Sequence, residues 1–484
     1  MNYEAVVGLE THVQLNTDSK MFSLSSAKYQ NKDPNTLVDP TSMGLPGALP
    51  VVNKKAVESA IMIGLALDCN ISNKTKFDRK QYFYPDLMKG YQISQFDEPI
   101  CYEGFMELSN KKIIRINRVH MEEDVAKLTH INTRDLNYSL LDINRSGTPL
   151  MEIVTEPDLN SSEEVIEYIE NLQKIIRYIG VGSANMEEGS FRCDANISIR
   201  EKGSKKLGTK VEIKNMNRIS AVAEAVDYEI KRQKKCKASN EKIVQETRGW
   251  SDEKSITVSQ RIKEESNDYR YFPEPDIPPL NIDIEWINEI KNLLPELPKI
   301  RKEKYINKYG LSEYDSDLLT SDIDFSNFFE KVIDSYKNNK SDIESIKYIA
   351  NLMNGEFNRL LNIQSINFDE LKFQPTDLAN LVEIYFDKKI NNKILKIVLE
   401  EMWNSGSKPK DIISNKKLAI ISDTNELEDT ISNIIENNPK AVEDFKAGKE
   451  QSQKFLLGQV MKETKGQADP KISSEIITKI LEKK

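Results

Sequence analysis

The amino-acid sequence predicts an α+β protein, with an N-terminal half built on an antiparallel sheet and a C-terminal half that is all helical. Three observations carry that expectation. Residues Phe191 to Arg200 alternate without a fault: Phe191, Cys193, Ala195, Ile197 and Ile199 make one face, and Arg192, Asp194, Asn196, Ser198 and Arg200 the other. That is the period of a strand buried on one side. Of the 19 glycines, 13 precede residue 250, as do all three histidines (His12, His120 and His130), so turn-rich sequence and clustered functional side chains belong to the first half. Six prolines between Pro273 and Pro298 then break the pattern, and beyond them Lys, Asn, Glu, Ile and Leu recur at helical spacing.

Near the start, Glu10, His12 and Gln14 share one face of a strand while Leu9, Val13 and Leu15 take the other. A helix is expected over about 161–179, with Ser161 and Glu164 as a capping box, Ile166, Ile169, Leu172 and Ile176 on its apolar side, and Gly180 ending it. After the strand at 191–200, Lys210 to Lys214 alternates again, with Lys210, Glu212 and Lys214 on the polar face. The intervening Gly203-Ser-Lys-Lys-Leu-Gly208-Thr209-Lys210 has the glycine spacing of a phosphate loop, but its last two residues stand in the wrong order and it joins two strands. It reads as a hairpin loop, so any ATP must bind on a sheet surface. A helix over about 219–236 ends in the basic run Lys231 to Lys237, which reads as a solvated helix end. Strands with one apolar face leave a polar, concave working surface opposite the helices. Boundaries near residue 295 and at Lys408-Pro409-Lys410 give three domains, 1–294, 295–410 and 411–484. In the last, Gly448 to Gly458 separates a helix ending near Phe445 from later ones, and Gly458 and Gly466 read as breaks.

Composition sets limits. Charged residues make up 30% of the 484 and hydrophobic ones 38%, as in an ordinary soluble protein of about three domains. The longest apolar runs, such as Ala60 to Leu67, are too short to cross a bilayer, and the N-terminus carries no signal-peptide pattern; a cytoplasmic location is expected. Cys69, Cys101, Cys193 and Cys236 are scattered, which suits reduced structural thiols. A net charge of −9 provides no global field for nucleic acid. RNA contact has to come from local patches, such as Gln451 to Lys484, where seven lysines face four acids.

The chemistry is in the acids of the first half. Glu10 and His12 lie two apart, His120-Met-Glu122-Glu123-Asp124 forms a second group, and Glu152, Asp194 and Glu212 sit in three further strand-like stretches. Carboxylates gathered on one surface repel unless a cation lies among them. Oxygen ligands with at most one imidazole favour magnesium or manganese over zinc, and magnesium beside Arg and Lys points to a nucleoside triphosphate. Ordinary salt bridges are the alternative for any one acid taken alone. No amide-hydrolysing nucleophile is recognisable.

Longer motifs then argue together: Val7-Gly-Leu-Glu10-Thr-His12-Val, Phe77-Asp-Arg79-Lys80-Gln-Tyr82-Phe-Tyr84-Pro85-Asp86, Tyr91 to Asp97, His120 to Asp124, Asp142 to Glu152, Met186 to Asn196 and Asp268 to Asp276. In order, spacing and identity they resemble the B subunit of the glutamine-dependent aspartyl/glutamyl-tRNA amidotransferase, from about residue 3 to the C-terminus. The resemblance implies a cradle domain related to the catalytic fold of glutamine synthetase, a helical domain and a small tRNA-binding helical tail. It implies a ligase reaction in which ATP phosphorylates the side chain of Asp or Glu on a misacylated tRNA(Asn) or tRNA(Gln) and ammonia displaces the phosphate. By match to the family motifs, Glu10, His12, Glu123 and Glu152 are the first candidates for a magnesium site and for catalysis, with Glu122 and Glu212 next as metal ligands. Arg79, Lys80, Arg192 and Lys210 are candidates to meet ATP phosphates or the acyl carboxylate. Asp268 to Phe272 read as packing at a domain edge. Partners implied are an A subunit that frees ammonia from glutamine, a C subunit that completes a heterotrimer, and misacylated tRNA. Some members bind zinc through four cysteines; here the corresponding positions are Ser23, Ser25, Asp39 and Ser42, so no zinc is expected. A non-catalytic tRNA-binding scaffold and a glutamine synthetase-like ligase for small molecules are the rival readings.

Overall fold

The computed structural model describes residues 3–133, 136–262, 269–337, 342–364, 366–419, 424–446, 451–464, 467–468 and 470–483. It divides into two compact units, Met1–Leu297 and Pro298–Lys484. The first unit runs β1 (Tyr3–Gln14), α1 (Lys54–Ala66), β2 (Asn70–Ile71), β3 (Lys74–Thr75), β4 (Asp78–Gln81), β5 (Tyr91–Ser94), β6 (Cys101–Glu107), β7 (Ile113–Glu123), β8 (Lys127–Asn132), β9 (Asn137–Asp142), β10 (Pro149–Thr155), α2 (Ser162–Tyr178), β11 (Phe191–Glu201), β12 (Val211–Lys214), α3 (Ile219–Ala238), β13 (Glu246–Ser251), β14 (Ile256–Ile262), β15 (Phe272–Pro273), β16 (Leu280–Asn281) and α4 (Ile284–Leu293).

Twelve of these strands form one sheet in the order β14-β13-β12-β11-β1-β10-β7-β5-β4-β15, with β6 beside β7 and β2 beside β6. The expected antiparallel sheet carries one parallel pair, β12 with β13. Its cause is local: α3 lies between those two strands and carries the chain back across the sheet, as a parallel connection requires. One face of the sheet is apolar. Val7, Leu9 and Val13 of β1, Met151 and Ile153 of β10, and Cys193, Ala195 and Ile197 of β11 share a core with Ile63 of α1, Ile169, Leu172 and Ile176 of α2 and Val222 and Val226 of α3. With those residues turned inward, alternation turns Glu10, His12, Glu152, Arg192 and Asp194 to the other face.

The helix ends follow their local chemistry. Ser161 caps α2 by accepting from the Glu164 N–H, while the Glu164 carboxylate accepts from the Asn160 N–H (2.8 Å) rather than from that of Ser161. Val165, rather than the half-buried Ile166, completes the buried stripe. Gly180 follows with φ +72°, a conformation that favours glycine. In the basic end of α3, Arg232 is held by the buried Glu229 of the preceding turn.

In the second unit the described elements are helical, with two separate hydrophobic clusters. The first includes Tyr305, Phe329, Phe357 and Trp403, and the second Leu427, Ile431, Val460 and Ile477. The expected boundary after residue 410 falls inside the helix Pro409–Asn415, whose Ile412 belongs to the first cluster. The core changes between Leu418, which packs on the first cluster, and Leu427. Gly458 is not a break: it lies inside the helix Gln451–Glu463 on an exposed face with open space around it. An exposed helical glycine costs only about 1 kcal/mol, which neighbouring packing overrides. Gly448 and Gly466 lie outside the described residues. Among the described residues no helix is long and apolar enough to cross a membrane.

Candidate active site

Three neighbouring strands assemble the site. The register of β1 on β10 sets His12 opposite Glu152, and that of β10 on β7 sets Glu152 opposite His120 and Leu150 opposite Glu122. Side chains two apart on a strand share a face, so His120 and Glu122 both join His12 and Glu152. His12 Nε2 lies 3.4 Å from Glu122 Oε1 and 3.5 Å from Glu152 Oε2, and His120 Nε2 lies 3.1 Å from the same Glu152 oxygen. Ligand atoms of His12, Glu122 and Glu152 all come within 4.8 Å of one another. Ser94 of β5, opposite Glu122, donates its hydroxyl to Glu122 Oε2 (3.3 Å).

The electrostatics of the trio follow from this packing. Burial alone would lower the His12 pKa, but hydrogen bonds and charge from Glu122 and Glu152 outweigh it and raise it from 6.5 to about 10. Burial raises both glutamates, yet His12 with Lys80 holds Glu122 below its ordinary value, and His120 with His12 holds Glu152 well below its own. A proton on His12 offsets one of the two carboxylate charges, and the Lys80 ammonium acts on the same pair. The donor set fits magnesium or manganese, since two carboxylates with one imidazole match those ions better than zinc. Among the described residues the buried Nδ1 of His120 has no hydrogen-bond partner, and Glu152 orients the ring through Nε2.

Four of the other expected residues take different positions around the trio. Glu10 stands just outside it, accepting from Asn196 Nδ2 at 2.8 Å, opposite Asp194. Glu212 is further along the face, accepts from Thr247 Oγ1 (2.8 Å), and is tied with Asp194 to the ammonium of Lys214, 3.1 Å away. Lys80 faces the trio: although burial opposes it, Glu122 and Glu152 raise its pKa, and among the described residues it makes no salt bridge. Lys210 is exposed just before β12.

Three expected residues are engaged elsewhere in this geometry, Glu123 and Arg79 fully and Arg192 in part. Glu123 does not join the trio, because adjacent residues of a strand point to opposite faces; its carboxylate pairs with Lys89, both side chains about 4% exposed, and accepts from the Ile93 N–H at 3.0 Å. Arg79 is not open to a phosphate. It forks onto Glu274, with Nε at 2.7 Å and Nη2 at 2.8 Å from the two carboxylate oxygens, and stacks on Tyr91. Arg192, opposite His12, spends one nitrogen on the buried Asp124 and keeps a side chain about 36% exposed. His120 and Lys214, named in the sequence motifs but not chosen as site candidates, each lie two residues from a candidate acid on the same strand, which is the signal that finds them.

The segment from Ser23 to Ser42 is tied down by a buried lysine and its partners. Lys20, its side chain fully buried, donates to the Leu37 carbonyl (2.7 Å) and lies 3.4 Å from Asp39, whose carboxylate also takes the Ser42 hydroxyl (2.6 Å) and N–H (2.9 Å). Ser25 donates to the Leu37 carbonyl as well (3.1 Å).

This arrangement belongs to a recognised class. Residues 5–288 match the family model described as the GatB/GatE catalytic domain, and residues 327–481 that of the GatB domain. Curated relatives named as the B subunit of aspartyl/glutamyl-tRNA(Asn/Gln) amidotransferase are 51% identical in Dehalococcoides mccartyi over 99% of each chain, and 48% in Caldicellulosiruptor saccharolyticus and 47% in Caldanaerobacter subterraneus over 100% of each. The chain belongs to the family of B subunits of the aspartyl/glutamyl-tRNA amidotransferases.

Proposed function

We propose that this polar sheet face is where ATP phosphorylates the side-chain carboxylate of Asp or Glu carried by misacylated tRNA(Asn) or tRNA(Gln), and where ammonia then displaces the phosphate. The observation that carries the reading is the trio of half-buried His12 with buried Glu122 and Glu152, and Lys80 facing it. A free carboxylate is a poor acyl donor. Its oxygen forms a bond to the γ-phosphorus as the bond to the bridging oxygen of ADP breaks. The ammonia nitrogen then bonds the acyl carbon, and phosphate leaves with the electron pair of the C–O bond.

His12, Glu122 and Glu152 would hold magnesium, with Glu10 at its border. When bound, the ion neutralises charge while two anions are brought together. His120 orients Glu152 through its Nε2 (3.1 Å). Lys80 offers an ammonium to a phosphate or to the acyl carboxylate, and the free side of Arg192 and the exposed Lys210 are further cations on hand. The Ser23–Ser42 segment, with hydroxyls and one carboxylate around Lys20, suits no tetrahedral zinc.

On this reading ammonia comes from an A subunit, and a C subunit completes the assembly in the cytoplasm. Residues 1–294 act as catalytic cradle and 295–410, extended to the end of the helix Pro409–Asn415, as a helical body. The tail presents Lys454, Lys462, Lys471 and Lys479 on its surface to the outer part of the tRNA. The test is ATP cleavage by the assembled enzyme, with mischarged Asp-tRNA(Asn) and Glu-tRNA(Gln) supplied in turn. Glu152→Gln removes an anionic ligand and should lower tRNA-dependent cleavage by about two orders of magnitude or more. Cleavage at the wild-type rate would make the trio structural and favour a scaffold; cleavage driven by free glutamate would favour a small-molecule ligase.

A further inference from the structure

The edge of the sheet beyond the trio is lined with aromatic rings that the chemistry above does not use. The register of β15 on β4 sets Phe272 opposite Arg79, which places Tyr271 beside Lys80; one step on, the Gln81 N–H donates to the Tyr269 carbonyl, bringing Tyr269 beside Tyr82. Contacts among the Tyr82, Tyr269 and Tyr271 rings, with the Lys80 ammonium over Tyr269, bring these residues to the side of Lys80. Their rings touch in succession: Phe96 lies parallel on Tyr271 with centroids 4.1 Å apart, Tyr271 meets Tyr269 at 6.0 Å, and Tyr269 meets Tyr82 at 6.0 Å. The Lys80 ammonium sits 5.0 Å above the Tyr269 ring, between this strip and the carboxylates. Phe96, at the outer end, is 54% exposed, so one flat face of the Phe96–Tyr271 stack is open.

We propose that this strip seats a nucleobase, with the Phe96–Tyr271 stack as its platform and Lys80 meeting the phosphate or acyl end of the same ligand. The proposal rests on the reading that a nucleotide works on this face, and it deepens it by fixing which end points outward. An exposed stack of aromatic rings gives area to a flat heterocycle whatever its edge pattern, and a cation a short distance inward selects a ligand with an anionic end. An adenine ring is the common chemistry of the two ligands the reaction brings together, ATP and the terminal adenosine of tRNA. Burial raises the Tyr82 and Tyr271 hydroxyls most, and Lys80 and Glu122 act on both as lesser charges, so the strip lies within electrostatic reach of the trio.

The experiment uses the assembled enzyme with Phe96→Ala and Phe96→Trp; Phe96 is exposed enough for either to leave the fold intact. Three probes are titrated: a non-hydrolysable ATP analogue, inorganic triphosphate, and mischarged tRNA. Loss of one stacking ring should weaken a base-bearing probe by about 5- to 100-fold. Phe96→Trp should restore it, and triphosphate, which has no base, should bind both variants as it binds wild type. Weakening of the ATP analogue assigns the platform to ATP; weakening of the tRNA alone assigns it to the terminal adenosine. The proposal is overturned if Phe96→Ala binds both base-bearing probes like wild type, if triphosphate weakens in parallel, or if the variant instead loses its partner subunits. A wild-type enzyme that binds no ATP analogue and cleaves no ATP would instead defeat the reading of the face itself, a different outcome from variants that match an active wild type.

Discussion

Glu122 and Glu123 are adjacent in sequence and opposite in role, and replacing each by glutamine separates the two. Glu122→Gln keeps the shape of the side chain and removes one of two charges from the trio. A pair of unit charges about 4 Å apart near a protein surface interacts by about 4 kcal/mol. Allowing for the dipole that glutamine keeps, Mn²⁺ affinity should fall by roughly 30- to 1000-fold, or about 2–4 kcal/mol. Glu123→Gln leaves the Lys89 ammonium, about 4% exposed, buried without its partner. Breaking a buried pair in this way costs about 3–5 kcal/mol, and in a domain of this size lowers Tm by about 5–15 °C. The assay is Mn²⁺ titration by electron paramagnetic resonance, with thermal unfolding run in parallel. Weak Mn²⁺ binding with near-normal Tm is expected of the first variant, and the reverse of the second. If Glu123→Gln loses the metal while Glu122→Gln keeps it, the placement of the site on this face of the sheet is wrong.

Three further outcomes follow from the same geometry. His120→Ala removes the group that orients Glu152, and Mn²⁺ affinity should drop by about 10- to 100-fold with little change in Tm; unchanged affinity would show that Glu152 needs no such support. His12, with a folded pKa near 10 against an ordinary 6.5, binds its proton more tightly folded than unfolded. Its contribution to stability is therefore complete below pH 6.5 and is lost as pH rises through about 10. The denaturant midpoint of the metal-free protein should fall across that window, and His12→Asn should flatten the slope. Removing residues 424–484, which spares Ile412 and Leu418 of the preceding core, should weaken mischarged-tRNA binding and reduce its salt dependence while glutaminase activity in the partner survives. Equal affinity by filter binding would mean that the other domains hold the tRNA alone.

How much of this was legible in the sequence depends on the range of the interaction. Phe191 to Arg200 could be read directly as a strand because alternation is local, and α2 could be read from Ser161, its apolar spacing and Gly180. The carboxylates of the trio were legible as residue types, and His12 with Glu152 as candidates, through the family motifs. Their meeting was not, since the strands bearing His12, Glu122 and Glu152 are far apart in sequence and only the order β1-β10-β7 brings them together. The errors have the same origin. Arg79 looked available because Glu274, its partner, is 195 residues away. Gly458 looked like a break because helix propensity is local, while the packing of Leu456 and Val460 into the tail core is not.

Glu123 is a different kind of error, because its correction was already in the sequence. Once Met121 is read as a core residue, alternation turns Met121 and Glu123 to one side of β7 and His120 and Glu122 to the other. The same rule applied to β1 puts Glu10 and His12 together, and applied to β12 puts Glu212 with Lys214. A face defined this way contains two carboxylates and two imidazoles at its centre, an acid–amide–lysine group on the β11–β12 side, and a lysine with four aromatic rings on the β4–β15 side. Charge therefore changes across the sheet from an acidic centre to an edge of lysine and aromatic rings. A nucleotide has that same polarity along its length, from a phosphate end that needs cations to a base that needs flat apolar area. The matching sequence of surfaces along one sheet, more than any single residue, is the physical reason to place the nucleotide with its base toward Phe96 and its phosphates toward Lys80 and the trio.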